Sequence, residues 1–137
     1  MKITKILKNY EIVEITNRLN RPDSIINSND TDKKLPVRIL WTINGNLKAL
    51  KDIMQRISDE EQKINSEYFN EEKADTREDG QLEIKAQYRQ EFIEKKSELM
   101  NIENEVEINM INLSDLSDFN FVPSDFTAIE FMLTDEE

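Results

Sequence analysis

An α-rich α+β domain is the fold class predicted here: a long antiparallel helical hairpin, a small β element formed by N- and C-terminal strands, and a short C-terminal helix. Three observations carry it. Two amphipathic stretches hold apolar residues at helical spacing, a polar segment ending in Asp79-Gly80 parts them, and β-prone runs flank the pair. A length of 137 residues suits one domain. Within it, residues 1–35 read as strand, short helix and loop, 36–104 as the hairpin, and 105–137 as an acidic strand and terminal helix.

Residues 2–8 (Lys-Ile-Thr-Lys-Ile-Leu-Lys) form a β-prone run ended by Asn9. Ile12, Val13, Ile15 and Leu19 then recur at spacings of three and four, predicting a helix from about Tyr10 to Asn20 that Pro22 stops. Asp23 to Lys34 is rich in Asn, Asp and Ser and reads as a loop. After Pro36, a seam of Ile43, Leu47, Leu50, Met54, Ile57, Ile64 and Tyr68 predicts a helix from about Val37 to Phe69, near 50 Å long at about 1.5 Å per residue. Asn44-Gly45 is its blemish, since glycine in a helix interior costs about 1 kcal/mol against alanine; a kink or a later helix start is expected there. Glu61 interrupts the seam and predicts an ion pair with a cation of the second helix.

The second seam, Ile84, Tyr88, Phe92, Leu99, Ile102 and Val106, supplies the other arm of the hairpin. Alternation from about Glu105 to Leu113 predicts a strand whose natural mate is the N-terminal run. Ser114-Asp115 and Ser124-Asp125 look like helix starts, the second leading into an apolar cluster from Phe126 to Leu133.

Charge divides the chain unevenly. Residues 1–57 carry a net +5 and residues 58–96 a net −5, so the formal charge of −11 equals that of the last 41 residues, which hold 11 acids and no base. The absence of cysteine and histidine excludes disulfides, thiol catalysis, ordinary zinc sites and every histidine-based triad. Gly45 and Gly80 stand alone, which excludes a glycine-rich phosphate loop. The carboxylate clusters fall on surface, turn or terminal segments, where solvated charge is the expectation and no metal site is predicted. No apolar run approaches the ~20 residues of a membrane span and the start lacks a leader's apolar core, so a soluble, cytosolic protein is expected.

Trp41 near a helix start is expected to be a partly buried packing residue. Exposed beside cations it would instead stack on a nucleotide ring, with Arg38, Lys48 and Lys51 as phosphate contacts. Nucleic-acid binding is not expected, because a phosphate footprint needs clustered excess positive charge.

The Met1-Lys2-Ile3 opening followed by Ile12-Val13-Glu14-Ile15, the acidic hairpin with its Asp79-Gly80 turn, and the ending together resemble a known pattern. That ending runs Glu105-Val106-Glu107-Ile108, Leu113-Ser114-Asp115-Leu116 and Ser124-Asp125-Phe126-Thr127-Ala128-Ile129-Glu130. In element order and acidity the chain resembles an uncharacterised family of small acidic phage and prophage proteins of low-GC Gram-positive bacteria, although the loop at residues 23–34 departs from the pattern. The resemblance implies a phage or prophage origin and carries over no functional residue.

The expected function is therefore a non-enzymatic phage- or prophage-encoded interaction protein without cofactor, a virion accessory or a host-directed modulator. It would act on a phage or host protein in the bacterial cytoplasm or on the virion. Self-association is expected, because a two-helix hairpin leaves part of each stripe uncovered and Phe119, Phe121, Phe126 and Phe131 add apolar surface. Two alternatives come from other classes. One is an anti-defence inhibitor whose acidic surface, with Asp115, Asp118, Asp125 and Glu130, imitates nucleic acid. The other is an oligomeric binder of a nucleotide signal built on Trp41, Arg38, Lys48 and Lys51.

Overall fold

Alternating apolar and polar residues draw the first segment into a strand, β1 (Lys2–Lys8), which runs directly into helix α1 (Asn9–Leu19). The backbone N–H of Lys8 donates to the Glu11 carboxylate at 3.0 Å and so caps that helix. The structure, a computed structural model, describes residues 1–20, 36–116 and 127–135. Pro36 leads into α2 (Val37–Tyr68), a single helix of 32 residues that passes through Gly45 without a break. Asn70 ends it: its side-chain amide donates to the Ser66 and Glu67 carbonyls while its Oδ1 accepts from the Glu72 and Lys73 N–H groups.

The polar stretch after α2 is more than a turn. It holds a small hairpin, β2 (Ala74–Thr76) antiparallel to β3 (Leu82–Ile84), closed by the N–H of Arg77 on the Gln81 carbonyl at 2.7 Å. Gly80 takes a positive φ of 84° in this turn, a conformation that favours glycine. Helix α3 (Ala86–Met100) follows, then β4 (Glu103–Asn109), the two-residue β5 (Ile111–Asn112) and a 3₁₀ turn at Leu113–Leu116. A short terminal helix precedes β6 (Leu133–Thr134), which pairs in parallel with β5.

The fold class is the expected one, α-rich α+β, and β1 pairs antiparallel with β4 as anticipated, from Lys2 opposite Asn109 to Lys8 opposite Glu103. Two boundaries need correction. The second helix is shorter than its seam: Ile84 belongs to β3, Ile102 to the connection, and Val106 to β4. Residues spaced by four or seven satisfy a helical stripe by count alone, whereas the alternation of Val106 and Ile108 with glutamates fits the pleat. The strand accordingly starts earlier than expected and breaks at Met110, whose N–H donates to the Met1 carbonyl. The helix start at Ser124, Phe119, Phe121 and Phe126 lie outside the described residues.

The core lies where the inner face of the β1–β4 pair (Leu7, Val106, Ile108) meets α1 (Ile12, Leu19), the first half of α2, and the C-terminal Ile129 and Met132. The face of α2 turned to it is Ile39, Ile43, Asn46, Leu50, Ile53 and Ile57; Ile43, Leu50 and Ile57 of the predicted seam lie on it, while Leu47 and Met54 pack half-buried at its edge. Asn46 is 1% exposed. Its Oδ1 accepts from the Asn109 N–H and its amide donates to the Asn109 carbonyl, both at 2.9 Å.

Beyond Ile57 the second half of α2 pairs antiparallel with α3 as a narrower arm. Lys96 Nζ reaches the Glu61 carboxylate at 3.0 Å, so Glu61 makes the interhelical pair its seam position implied. Tyr68 and Phe69 both set their rings edge-on to Phe92, with centroids 5.5 and 5.6 Å apart. Burial pushes the Tyr68 phenol up, and the neighbouring Glu91 acts in the same direction.

Replacing Asn46 with leucine keeps the volume but strips the Asn109 N–H and carbonyl of their partners. The chain should lose about 2 kcal/mol in urea unfolding, since each orphaned backbone group costs roughly 1–3 kcal/mol when buried. A loss within about 0.5 kcal/mol, the range of a surface substitution, would count against this role.

Lys95 donates to Glu67 at 2.8 Å, and this hydrogen bond, reinforced by charge, holds the Glu67 carboxyl below its usual value. A folded value below the unfolded one adds stability above the unfolded carboxylate pKa, lost as pH falls through the folded value. A titration of the Glu67 side chain followed by NMR should show this depression and its relaxation in Lys95→Met; an unchanged Glu67 in that variant would exclude the pair as the cause.

Candidate functional site

The rotation of α2 about its axis decides which side chains remain outside. Trp41 sits two residues from both Ile39 and Ile43, which turns it about 200° away from the core-facing stripe. Its side chain is 78% exposed. The sequence expectation of a partly buried packing residue is thereby corrected: a lone tryptophan near a helix start need not face the core, and here the rotation of α2 turns it to the outside.

Leu47 and Met54, one step round from that face, are half-buried on the flank of α2 that looks toward the C-terminal half of α1. Thr16 and Asn20 of α1 form the opposite bank. Together they line an open groove of about 700 Å³, within the roughly 300–1,000 Å³ of ligand sites generally. Trp41, Asn44, Gly45, Lys48 and Lys51 also line it.

The electrostatics of the groove differ from those of the molecule. The chain carries −11 overall, yet no carboxylate is among the described residues that line the groove. Lys48 and Lys51 pair with no carboxylate among the described residues. Elsewhere on the same helix cations do pair: Arg38 with Asp115 at 3.3 Å and Lys63 with Glu60 at 3.2 Å.

Gly45 adds a geometric singularity. A Cβ built at this position would meet nothing within 4 Å, and its φ is that of any helical residue. Neither packing among the described residues nor backbone conformation requires glycine there, and the helix is weakened by its presence.

Of the residues predicted from sequence for a nucleotide site, the structure brings Trp41, Lys48 and Lys51 to one groove and leaves Arg38 outside it, engaged with the 3₁₀ turn at Leu113–Leu116. Of the acidic set, Asp115 forms that exposed pair and Glu130 is exposed on the terminal helix, while Asp118 and Asp125 lie outside the described residues. Thr16, Asn20, Asn44, Gly45, Leu47 and Met54 were missed as lining residues. The available signal was Gly45 in a helix interior, together with the 3-4-3 stepping of Trp41, Asn44, Lys48 and Lys51 on one face. Among the described residues no group of three Asp or Glu converges to hold a metal, and no helix is long and apolar enough to cross a membrane.

No protein-family model, no curated protein and no solved structure matches the chain. The groove is therefore interpreted from its own chemistry: an aromatic face, an apolar floor, and two cations.

Trp41 is the sole tryptophan, so its fluorescence reports this site alone. Emission close to that of free indole in water, readily quenched by acrylamide, is the expected result. A blue-shifted emission resistant to quenching would contradict the exposed placement.

Proposed function

We propose that this chain is a non-enzymatic interaction protein, encoded by a phage or prophage, that takes a protein partner in the groove between α1 and α2. The observation that carries the reading is the exposed Trp41 indole at the edge of a groove whose floor is apolar. Aromatic side chains dominate interface energetics where a partner can cover them. Covering most of this indole removes on the order of 150 Å² of apolar surface, worth about 4 kcal/mol at 25 cal/mol/Å². The run from Trp41 to Met54 spans about 20 Å of helix, long enough for an element of a partner rather than a single ring.

Self-association belongs to the same proposal. Leu82 and Ile93 leave further apolar surface uncovered on the α2–α3 arm. A second reading, a nucleotide-signal binder, is favoured by Trp41, Lys48 and Lys51 sharing one groove. The engagement of Arg38 with Asp115, outside the groove, favours the protein partner.

Affinity capture from phage-producing host cells, run in parallel with the wild type and Trp41→Ala, tests the proposal. Trp41 is exposed, so the variant should melt within a few degrees of the wild type. Recovery of a partner that depends on Trp41 is the expected result; equal recovery by both proteins would overturn the assignment of the groove.

A further inference from the structure

We infer that the occupant of the α1–α2 groove is an acidic amphipathic helix of the partner, seated with a bulky apolar side chain over Gly45. The inference rests on the proposed reading that this groove is the contact surface, and it specifies the chemistry of what binds there.

Shape comes first. Two helices packed side by side leave a furrow on their outer flank, and the element that fills such a furrow with interaxial distances of 8–10 Å is a third helix. Leu47 and Met54 supply apolar contacts seven residues apart, two turns of α2, which matches the repeat of an apolar stripe on a docked helix.

The glycine carries the next step. At Gly45 the backbone of α2 is bare, and no described residue fills the space a Cβ would occupy. A notch of this kind lets a facing helix approach closely or receives one large side chain from it. Because no described residue uses this space, it is open to the occupant.

Charge settles the sign. Lys48 and Lys51 line the groove unopposed by any described carboxylate, within the basic first 57 residues of a chain that is acidic overall. Their ammonium groups favour carboxylates on the flanks of the incoming helix and reject a basic helix. Trp41, at the open end, covers the last turn of the docked element.

The probe is a synthetic 20-residue amphipathic peptide with Leu and Phe at helical i, i+3, i+4 and i+7 positions and Glu on the flanks. A matched peptide in which every Glu is Lys, and ATP as a small aromatic anion, serve as comparisons. Binding to the full chain is followed by the Trp41 emission. The acidic peptide should bind at least tenfold tighter than the basic one and weaken at least tenfold in Lys48→Glu/Lys51→Glu and in high salt. Gly45→Leu should raise Tm yet weaken the peptide at least tenfold, whereas a glycine without a role in binding would leave affinity unchanged. Equal binding of both peptides, binding of neither, or tighter binding of ATP would each overturn the inference. Should capture of the natural partner depend on Trp41 while the acidic peptide fails, the groove stands and the acidic-helix chemistry falls; failure of both removes the groove itself.

Discussion

A single carboxamide, Asn46, governs the arrangement of the rest. The β1–β4 ribbon has only two strands, so β4 presents its far edge, with backbone groups directed away from β1, to the neighbouring helix. Sheet edges demand partners when they are buried. At Asn109 the partner is Asn46, whose side chain offers one donor and one acceptor in the same order as a neighbouring peptide unit would. Its amide also lies 3.4 Å from the Met132 sulfur, drawing the C-terminal segment to the same point. With Asn46 pinned inward, the rotation of α2 is set. Leu47 and Met54 are carried to the flank, and Trp41 to the outside.

The opposite end of the ribbon is held by a second asparagine. Asn9, also buried, donates from its side chain to the Leu99 carbonyl at 2.7 Å and accepts from Asn104 at 2.8 Å, while its backbone N–H reaches the Ile102 carbonyl. Asn104 donates in addition to the Leu7 carbonyl. The end of α3, the start of α1 and both strands thus meet in one hydrogen-bonded joint. A two-stranded sheet is marginal by itself; here polar pins at both ends position it over the apolar core formed with α1 and α2. The arm beyond Ile57 rests on a separate aromatic contact around Phe92, which leaves it dependent on local packing rather than on the central core.

Much of this was legible in the residues. The N-terminal strand, the helix entered at Pro36 and ended near Phe69, the Asp79-Gly80 turn, the pairing of the first and fourth strands, and the Glu61–Lys96 contact all follow from local pattern. What escaped reading shares a physical cause. Hydropathy admits only apolar residues to a core, so Asn46 was passed over in favour of Leu47, and the predicted seam kept Ile43, Leu50 and Ile57 but took Leu47 and Met54 in place of Asn46 and Ile53. That choice assigned Leu47 and Met54 wholly to packing, and hydropathy alone did not show that Trp41 faces outward. Ile84 and Val106 were drawn into a helix because even spacings satisfy both periodicities. The groove is a tertiary feature, made where α1 lies beside α2, and only Gly45 and the stepping of Trp41, Asn44, Lys48 and Lys51 marked it in advance.

The proposed contact surface therefore follows from a buried polar constraint: were α2 free to present Leu47 and Met54 inward, the groove would lose its floor and Trp41 its exposure. The measurement that bears most directly on this is native-state hydrogen exchange at the Asn109 amide. If the Asn46 carboxamide holds β4 to α2 as described, that proton should be protected to the level of global unfolding, like the buried centre of α2. Exchange at the rate of a frayed strand end would contradict it.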